Sequence, residues 1–360
     1  MKRVAGNLYV HFPFCRRKCS YCALHSRVGV AAEGRRDYVQ RLVSAVTQRA
    51  LTPPGGFRTV YFGGGSPALC ELRPLLAALS PRLGADYEFT VELHPLDVTE
   101  ELLAQLLDGG VNRISMGVQS LDEATLSDMA RGYTAADAAR AFALVKRFFD
   151  NAGIDLIVGY PGDRTAYGER LAAELADWGL VHCSVYSLIL EEKSLLAHRL
   201  KRETALAAAM PSDDTVMDAI REVSAALASL GLERYEISNY AVPGRECRHN
   251  LAVWRGEDYF GLGEGAAGRL GLYRTRDWWG EDPATHVGAE KVEPYADRQE
   301  RALFRLRTRE GIDAAHFQEW QATLDHCVAE KLLRHGDGAV YTLTERGTEV
   351  CDAILGDLIG

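Results

Sequence analysis

Three cysteines fall within eight residues, Cys15-Arg-Arg-Lys-Cys19-Ser-Tyr-Cys22, in the spacing Cys-x3-Cys-x2-Cys. Thiolates so close on one loop are suited to metal ligation, and two chemistries fit. Three thiolates can hold three irons of a [4Fe–4S] cube and leave the fourth iron open to a non-protein ligand. Alternatively, His25, three residues after Cys22, would complete a Cys3His zinc site. Taken alone the loop leaves the two evenly matched. A disulfide framework fits poorly, because three cysteines cannot all pair and no export signal precedes them. Arg16, Arg17 and Lys18 between the first two thiols are expected to lower their pKa values and offset the charge of a thiolate cluster.

The elements that must carry this loop read as alternating strands and helices, the pattern of an α/β protein with a parallel sheet. Strands are expected at Leu8–Phe12, Thr59–Phe62, Glu88–Leu93, Arg113–Gly117, Ile154–Val158 and His182–Leu188. Helices fit Asp37–Arg49, Ala135–Phe149 and Tyr167–Trp178, with capping boxes at Asp97/Glu100 and Ser120/Glu123. Six βα units make a partial (βα)6 barrel. Loops after parallel barrel strands gather at one end, so residues distant in sequence converge there. Cys15, Cys19 and Cys22 follow strand one, and Gly64, Gly65 and Ser66 follow strand two. Glu92 ends strand three, Gln119 follows strand four and Asp155 belongs to strand five. Consecutive glycines let backbone approach a ligand closely, and no Gly-Lys-Ser/Thr follows them to make a phosphate loop. Glu92, in an otherwise apolar strand, needs a partner such as ribose hydroxyls or Arg113 on the next strand.

Beyond Leu188 the pattern changes. A helix fits Asp213–Leu230 with Ser212 as cap and Gly231 as stop, and the run Tyr235–Tyr240 extends the core. His249–Tyr273, rich in glycine and aromatics, reads as an ordered covering loop. Short helices from about Asp297 and a hairpin over Leu333–Leu343 suggest a small winged-helix-like domain. The expected division is 1–190 for the barrel core, 191–290 for its extension and 291–360 for the C-terminal domain. The chain's 360 residues, 47% hydrophobic and 25% charged, suit a soluble globular protein. No apolar run approaches the roughly 20 residues that span a bilayer, and Lys2, Arg3 and the short stretch behind them make no signal peptide. A cytoplasmic address is expected. A net charge of −9 argues against nucleic acid as the main partner. Peripheral membrane association and oligomeric state stay open. Cys70, Cys183, Cys247, Cys327 and Cys351 are scattered and are expected to be small buried hydrophobes.

Tyr9-Val-His-Phe-Pro-Phe-Cys15, Gly63-Gly-Gly-Ser-Pro67, Val111-Asn-Arg-Ile-Ser-Met-Gly-Val-Gln-Ser120 and Ile154-Asp-Leu-Ile-Val-Gly-Tyr-Pro-Gly162 together resemble the radical S-adenosylmethionine (SAM) superfamily. Within it the chain resembles the branch holding oxygen-independent coproporphyrinogen III oxidase and the radical-SAM haem chaperones. The resemblance implies a [4Fe–4S] cluster on Cys15, Cys19 and Cys22 whose open iron binds SAM. It implies SAM contacts from Gly64, Gly65, Ser66, Glu92, Gln119, Arg131 and Asp155, and more loosely from Tyr21, Ser187 and Ala267. The oxidases carry a fourth cysteine two residues after the third, where this chain has Leu24. The chaperones lack it and carry His-Asn-x-x-Tyr-Trp, which here is His249-Asn-Leu-Ala-Val253-Trp254, with Val in place of Tyr. The implied function is a haem chaperone that binds haem, through His249 with Trp254 and Cys247 nearby, and passes it to apo-haemoproteins. The alternative is coproporphyrinogen III decarboxylation, with Tyr9 near the porphyrin, and a zinc-stabilised binding module is a third reading.

Overall fold

The computed structural model describes residues 5–48, 51–163, 167–280 and 282–359. Six strands, β1 (Asn7–Phe12), β2 (Phe57–Gly64), β3 (Leu83–Leu93), β4 (Arg113–Gln119), β5 (Ala152–Val158) and β6 (His182–Ser187), lie side by side in chain order. All five pairings among them are parallel. This is the open, partial (βα)6 barrel that the alternation of strands and helices predicts. The helix Ala32–Gln48 buries Val39, Leu42 and Val46 against the sheet, a spacing that keeps one face inward; Arg49, its expected end, lies outside the described residues.

Side chains alternate across a strand, and here the alternation sorts polarity. Leu8, Val10 and Phe12, Val60 and Phe62, Phe89, Val91 and Leu93, and Ile114, Met116 and Val118 all join the core beneath the helices. The opposite face carries Tyr9 and His11, Thr59 and Tyr61, Glu88, Thr90 and Glu92, Arg113 and Ser115, Asp155, and His182 and Ser184. The concave side of this barrel is therefore polar, unlike the apolar filling of a closed (βα)8 barrel.

The sheet runs further than expected. Tyr259–Leu262 pairs parallel with β1, and Ala267–Leu270, Tyr273–Arg276 and Ala289–Lys291 continue it as an antiparallel meander. On the far side Asn239–Ala241 pairs antiparallel with β6. The expected covering loop over His249–Tyr273 is instead a helix, Arg248–Trp254, followed by strands. Its glycines conceal the strands because Gly261 and Gly268 lie where sheet backbone crowds: a Cβ on Gly261 would stand 1.9 Å from Ala267 O.

Two expected helix starts shift. Thr99 caps Glu100–Asp108, and Asp97 is drawn into the cysteine loop by Arg16; Asp122 caps Glu123–Asp128 in place of Ser120. Thr134 with Asp137 and Ser212 cap their helices as side-chain chemistry dictates. The C-terminal part has its own core, centred on Leu306, Ile312, Trp320, Leu324 and Tyr341. Its three-stranded sheet contains the expected hairpin, pairing Leu333 with Leu343 and His335 with Tyr341. No helix among the described residues is long and apolar enough to cross a membrane.

Candidate functional site

The cysteine loop leaves the end of β1 and lies against the glycine loop that leaves β2. Gly65 N–H donates to Phe12 O and Ser66 N–H to Phe14 O, both at 2.7 Å. The approach is so close that a Cβ on Gly65 would meet Phe14 O at 2.4 Å and Cys15 Sγ at 2.9 Å. Gly64 has φ +104°, and a Cβ there would sit 2.4 Å from His11 Cε1. Glycine is needed at both positions, for proximity at Gly65 and for backbone conformation as well at Gly64. Ser66 donates to Asp97, which also takes Arg16 Nε at 2.5 Å, tying both loops together.

Cys15, Cys19 and Cys22 are free thiols, half-buried. Burial, then the neighbouring Cys22 and Cys19, push the Cys15 thiol up, and the pull of Lys18 is smaller. The expected lowering by flanking cations therefore fails at Cys15. Arg16 is committed to Asp97, and Lys18 donates to Leu24 O and Ser26 Oγ at 2.8 and 2.7 Å. Among the described residues no three His, Cys, Asp or Glu side chains close around one point as the ligands of a single ion. His25 turns to Glu264, 3.7 Å away, while its carbonyl accepts from His11 Nε2 at 2.9 Å.

Arg131 is the cation that reaches the thiols. It is 7% exposed and has no carboxylate within ion-pair distance among the described residues. Its Nη1 lies 3.2 Å from Cys19 Sγ and 3.5 Å from Tyr21 Oη, Nη2 donates to Gly117 O at 2.7 Å, and Nε to Tyr133 Oη at 2.9 Å. A buried guanidinium without a carboxylate calls for an anion, and thiolate or a ligand carboxylate would supply one. Gly117 O belongs to a bulge in β4 where the register slips before Gln119, which holds φ +71°. A non-glycine residue in that conformation carries local strain, and here it folds the Gln119 amide back over Gly117.

Glu92 accepts from Tyr61 Oη at 2.8 Å and Gly64 N–H at 3.1 Å. Burial first, then the like charge of Asp155, push its carboxyl up to about 7. Asp155, also raised by burial, accepts from Ser115 Oγ at 3.0 Å. Arg113 is not the partner of Glu92. It lies deeper, donates to Thr90 Oγ1 at 3.4 Å and leaves its Nε unpartnered. The sequence suggested ribose hydroxyls or Arg113 as its partner, and Tyr61, on the neighbouring strand, was not among them.

Cys15, Cys19, Cys22, Tyr21, Gly64, Gly65, Ser66, Glu92, Gln119, Arg131 and Asp155 thus share one end of the barrel. Ser187 ends β6, exposed, opposite Val158. Ala267 lies apart, in a cavity with Val253 and Tyr259. His11 was missed by sequence reasoning. Burial lowers its pKa, so the ring is neutral; Nε2–H donates to His25 O and Nδ1 accepts from Tyr9 Oη at 2.9 Å. Its signal was the alternation that places it on the face of Tyr9.

His249 lies at the opposite end of the concave face. It is 4% exposed, with its ring 5.2 Å from that of Tyr61 and 6.4 Å from that of Tyr9. Thr59 Oγ1 donates to Asn7 Oδ1 at 3.0 Å, so His249 Nδ1–H donates to Thr59 Oγ1 at 2.8 Å and Nε2 keeps the lone pair. Burial, then Arg113, hold its pKa down to about 3. Glu88 accepts from the N–H groups of Arg248 and His249 at 3.0 and 3.1 Å. Cys247 is fully buried beside Glu88. Trp254 packs elsewhere, edge-on to Phe304 at 5.9 Å and under Arg307. The expected grouping of His249 and Trp254 around one ligand is not present, because five residues of helix turn the two side chains to different faces.

Residues 9–175 match the family model described as Radical SAM superfamily. The chain is 31% identical to the haem chaperone HemW of Mycobacterium tuberculosis, over 98% of this chain and 94% of that protein. It is 34% identical to the haem chaperone HemW of Escherichia coli, over 73% of this chain and 70% of that protein. The solved structure of Escherichia coli coproporphyrinogen III oxidase (HemN), a radical SAM enzyme, superposes with a TM-score of 0.80, covering 99% of this chain and 90% of that one at 20% identity, a likeness of fold. By this full-length similarity the chain belongs to the HemW haem chaperone family within the radical SAM superfamily.

Proposed function

We propose that the protein is a haem chaperone: it binds haem and delivers it to apo-haemoproteins. The observation that carries this reading is the full-length similarity to HemW chaperones, about 30% identical from end to end, joined to Leu24 at the position of the oxidases' fourth cysteine. Leu24 is 55% exposed on the loop and offers no ligand there.

In the same proposal Cys15, Cys19 and Cys22 hold a [4Fe–4S] cluster, and Gly64, Gly65, Ser66, Glu92, Gln119, Arg131 and Asp155 hold SAM. The donor set fits: three free thiols on one loop, a buried guanidinium against one of them, and a glycine cradle that a Cβ would fill. When bound, the cluster's open iron would offer a coordination site for the amino and carboxylate groups of SAM. The chain's own residues supply the rest. Arg131 neutralises negative charge at Cys19, Gly64 and Gly65 admit the ligand to the backbone, and Glu92 offers a carboxylate to hydroxyl donors. Tyr21 borders the same guanidinium, and the exposed Ser187 stands at the end of β6. The haem role of His249 belongs to this proposal as well. Its Nε2 is neutral and unprotonated, as an axial ligand must be, and iron would reach it only when the barrel floor opens. Residues 1–190, 191–290 and 291–360 are proposed as core, extension and C-terminal domain.

The test is a haem titration of anaerobically reconstituted protein followed by absorption, beside an assay for coproporphyrinogen III decarboxylation. A saturable Soret band, haem transfer to an apo-haemoprotein and no decarboxylation are expected. Decarboxylation without haem transfer would overturn the reading.

A further inference from the structure

One buried phenol outside the SAM and cluster residues, that of Tyr133, grips Arg131. Tyr133 is 6% exposed, and its ring stands edge-on to His94 with 5.0 Å between centroids. Its Oη accepts from Arg131 Nε at 2.9 Å. The same oxygen places its one hydrogen between two consecutive carbonyls, Gly117 O at 2.9 Å and Val118 O at 2.8 Å. Gly117 O also accepts from Arg131 Nη2 at 2.7 Å. Burial pushes the phenol's pKa up, so the hydroxyl keeps the hydrogen that it shares. Both carbonyls belong to the stretch of β4 where the register slips and Gln119 takes φ +71°. Phenol, guanidinium and bulge thus form one unit in which each partner satisfies the other two.

The atoms engaged decide what stays free. A guanidinium has two edges that can meet a pair of acceptors, Nε–H with Nη2–H along its side and Nη1–H with Nη2–H at its end. Tyr133 Oη and Gly117 O together fill the side edge. The end edge is left toward the cysteine loop, where Nη1 lies 3.2 Å from Cys19 Sγ and 3.5 Å from Tyr21 Oη. Without the phenol the side edge would keep Gly117 O alone, and a single hydrogen bond does not fix the plane of a fork. We propose that Tyr133 is a positioning residue for the SAM and cluster site: through Arg131 it aims the free edge of the guanidinium at the Cys19 thiolate and at the carboxylate of the ligand beside it. The assignment rests on the SAM and cluster reading. The phenol has a second task at the same point, since the two carbonyls it holds fix the backbone that leads to Gln119.

The experiment compares full-length, anaerobically reconstituted wild type, Tyr133→Phe, Arg131→Gln and the double variant. Tyr133→Phe removes only the hydroxyl and keeps the ring against His94. Circular dichroism checks the fold, and iron and sulfide analysis the cluster. SAM affinity is read by calorimetry and the cluster's midpoint potential by redox titration. Tyr133→Phe should weaken SAM about tenfold, a usual cost of losing a group that orients a ligating one, and Arg131→Gln should weaken it further. The double variant should bind no more weakly than Arg131→Gln, because the phenol acts through the guanidinium. The potential should fall in both single variants, since a cation held against a ligating sulfur favours the more negative, reduced cluster, and should not fall again in the double variant. Unchanged SAM affinity in Tyr133→Phe, or losses that add in the double variant as independent packing defects do, would overturn the proposal. If wild type holds the cluster but binds no SAM, the SAM reading fails and the potential decides. A fall in Tyr133→Phe like that in Arg131→Gln would then support positioning toward Cys19, and an unmoved potential would overturn it. If wild type holds no cluster, the cluster reading fails by itself. Urea unfolding of the four apo proteins then decides the pairing, as it does if Tyr133→Phe alone loses its iron: additive losses would overturn it and a non-additive double variant would support it.

Discussion

Replacing Glu92 by glutamine should alter the pH dependence of stability more than stability itself. The carboxyl is wrapped by Tyr61 Oη and Gly64 N–H, and burial together with Asp155 raises its pKa from 4.5 to about 7. Below pH 4.5 both folded and unfolded chains hold the proton, and the group contributes nothing. Between 4.5 and 7 only the folded chain holds it, so stability falls as pH rises, by up to about 1.4 kcal/mol per unit. Above 7 the folded chain carries the whole penalty, about 3 kcal/mol, an upper figure because the carboxylate edges the open end of the barrel. The Glu92→Gln variant would lack that fall. Its amide can keep both bonds, Oε1 accepting from Gly64 N–H and Nε2–H donating to Tyr61 Oη, so its cost at low pH should stay within about 1 kcal/mol. Glu236, also pushed up to about 7 by burial, titrates in both proteins and cancels in the comparison. Urea unfolding of apo wild type and variant at pH 5 and pH 8 is the assay. The wild type should lose about 2.5 kcal/mol more than the variant between the two values, because part of the penalty is already present at pH 5. Parallel pH profiles would refute the buried-carboxylate argument.

Cys19→Ala should remove both a cluster ligand and the thiol that faces Arg131. Iron and sulfide analysis after anaerobic reconstitution should show loss of the cluster, and retention of both at wild-type levels would count against the cysteine assignment. Gly64→Val should abolish SAM binding in calorimetry, because its Cβ would enter the His11 ring and φ +104° is closed to valine. Unchanged affinity would move SAM elsewhere. His249→Ala should cost about 2–4 kcal/mol in chemical unfolding, since it leaves a cavity under Tyr61 and strips Thr59 of a donor. A surface-like loss below about 0.5 kcal/mol would contradict its place in the floor.

What the sequence disclosed follows from which signals are local. Three thiols on one loop, three glycines after a strand and helix caps such as Thr134 with Asp137 are set by residues a few positions apart. The six parallel strands were legible because each is a short apolar-polar alternation between helical segments. The partners of buried charges were not. Arg113 was the protein partner that sequence suggested for Glu92, and only the register of β2 against β3, with Tyr61 beside Thr90, shows that the Tyr61 phenol is within reach. The meander after His249 was hidden for a related reason. Its strands are two-sided pairings of glycine-rich backbone, whose stabilising contacts come from partners far along the chain.

The same reasoning explains why the histidine motif reads differently in three dimensions. A histidine followed by aromatics looks like an exposed ligand site when its neighbours are unknown. Here the carboxylate of Glu88, from β3, reaches the first N–H groups of the helix Arg248–Trp254 and draws His249 inward. Thr59 then takes its Nδ1–H, and burial together with Arg113 keeps the ring neutral. Tyr235 and Cys247 close the space beside it, with the Cys247 N–H donating to Tyr235 Oη at 3.1 Å. The floor therefore holds a neutral imidazole with one free lone pair, poised chemically for iron but closed sterically. Access to that lone pair and the cavity beside Val253 meet at one residue, Tyr259, which borders both. Removing its ring in Tyr259→Ala should therefore join the two spaces. The Soret band of the bound haem should then shift toward that of an imidazole-ligated iron, and His249→Ala in the same background should reverse the shift. An identical spectrum in the single and double variants would separate His249 from the haem altogether.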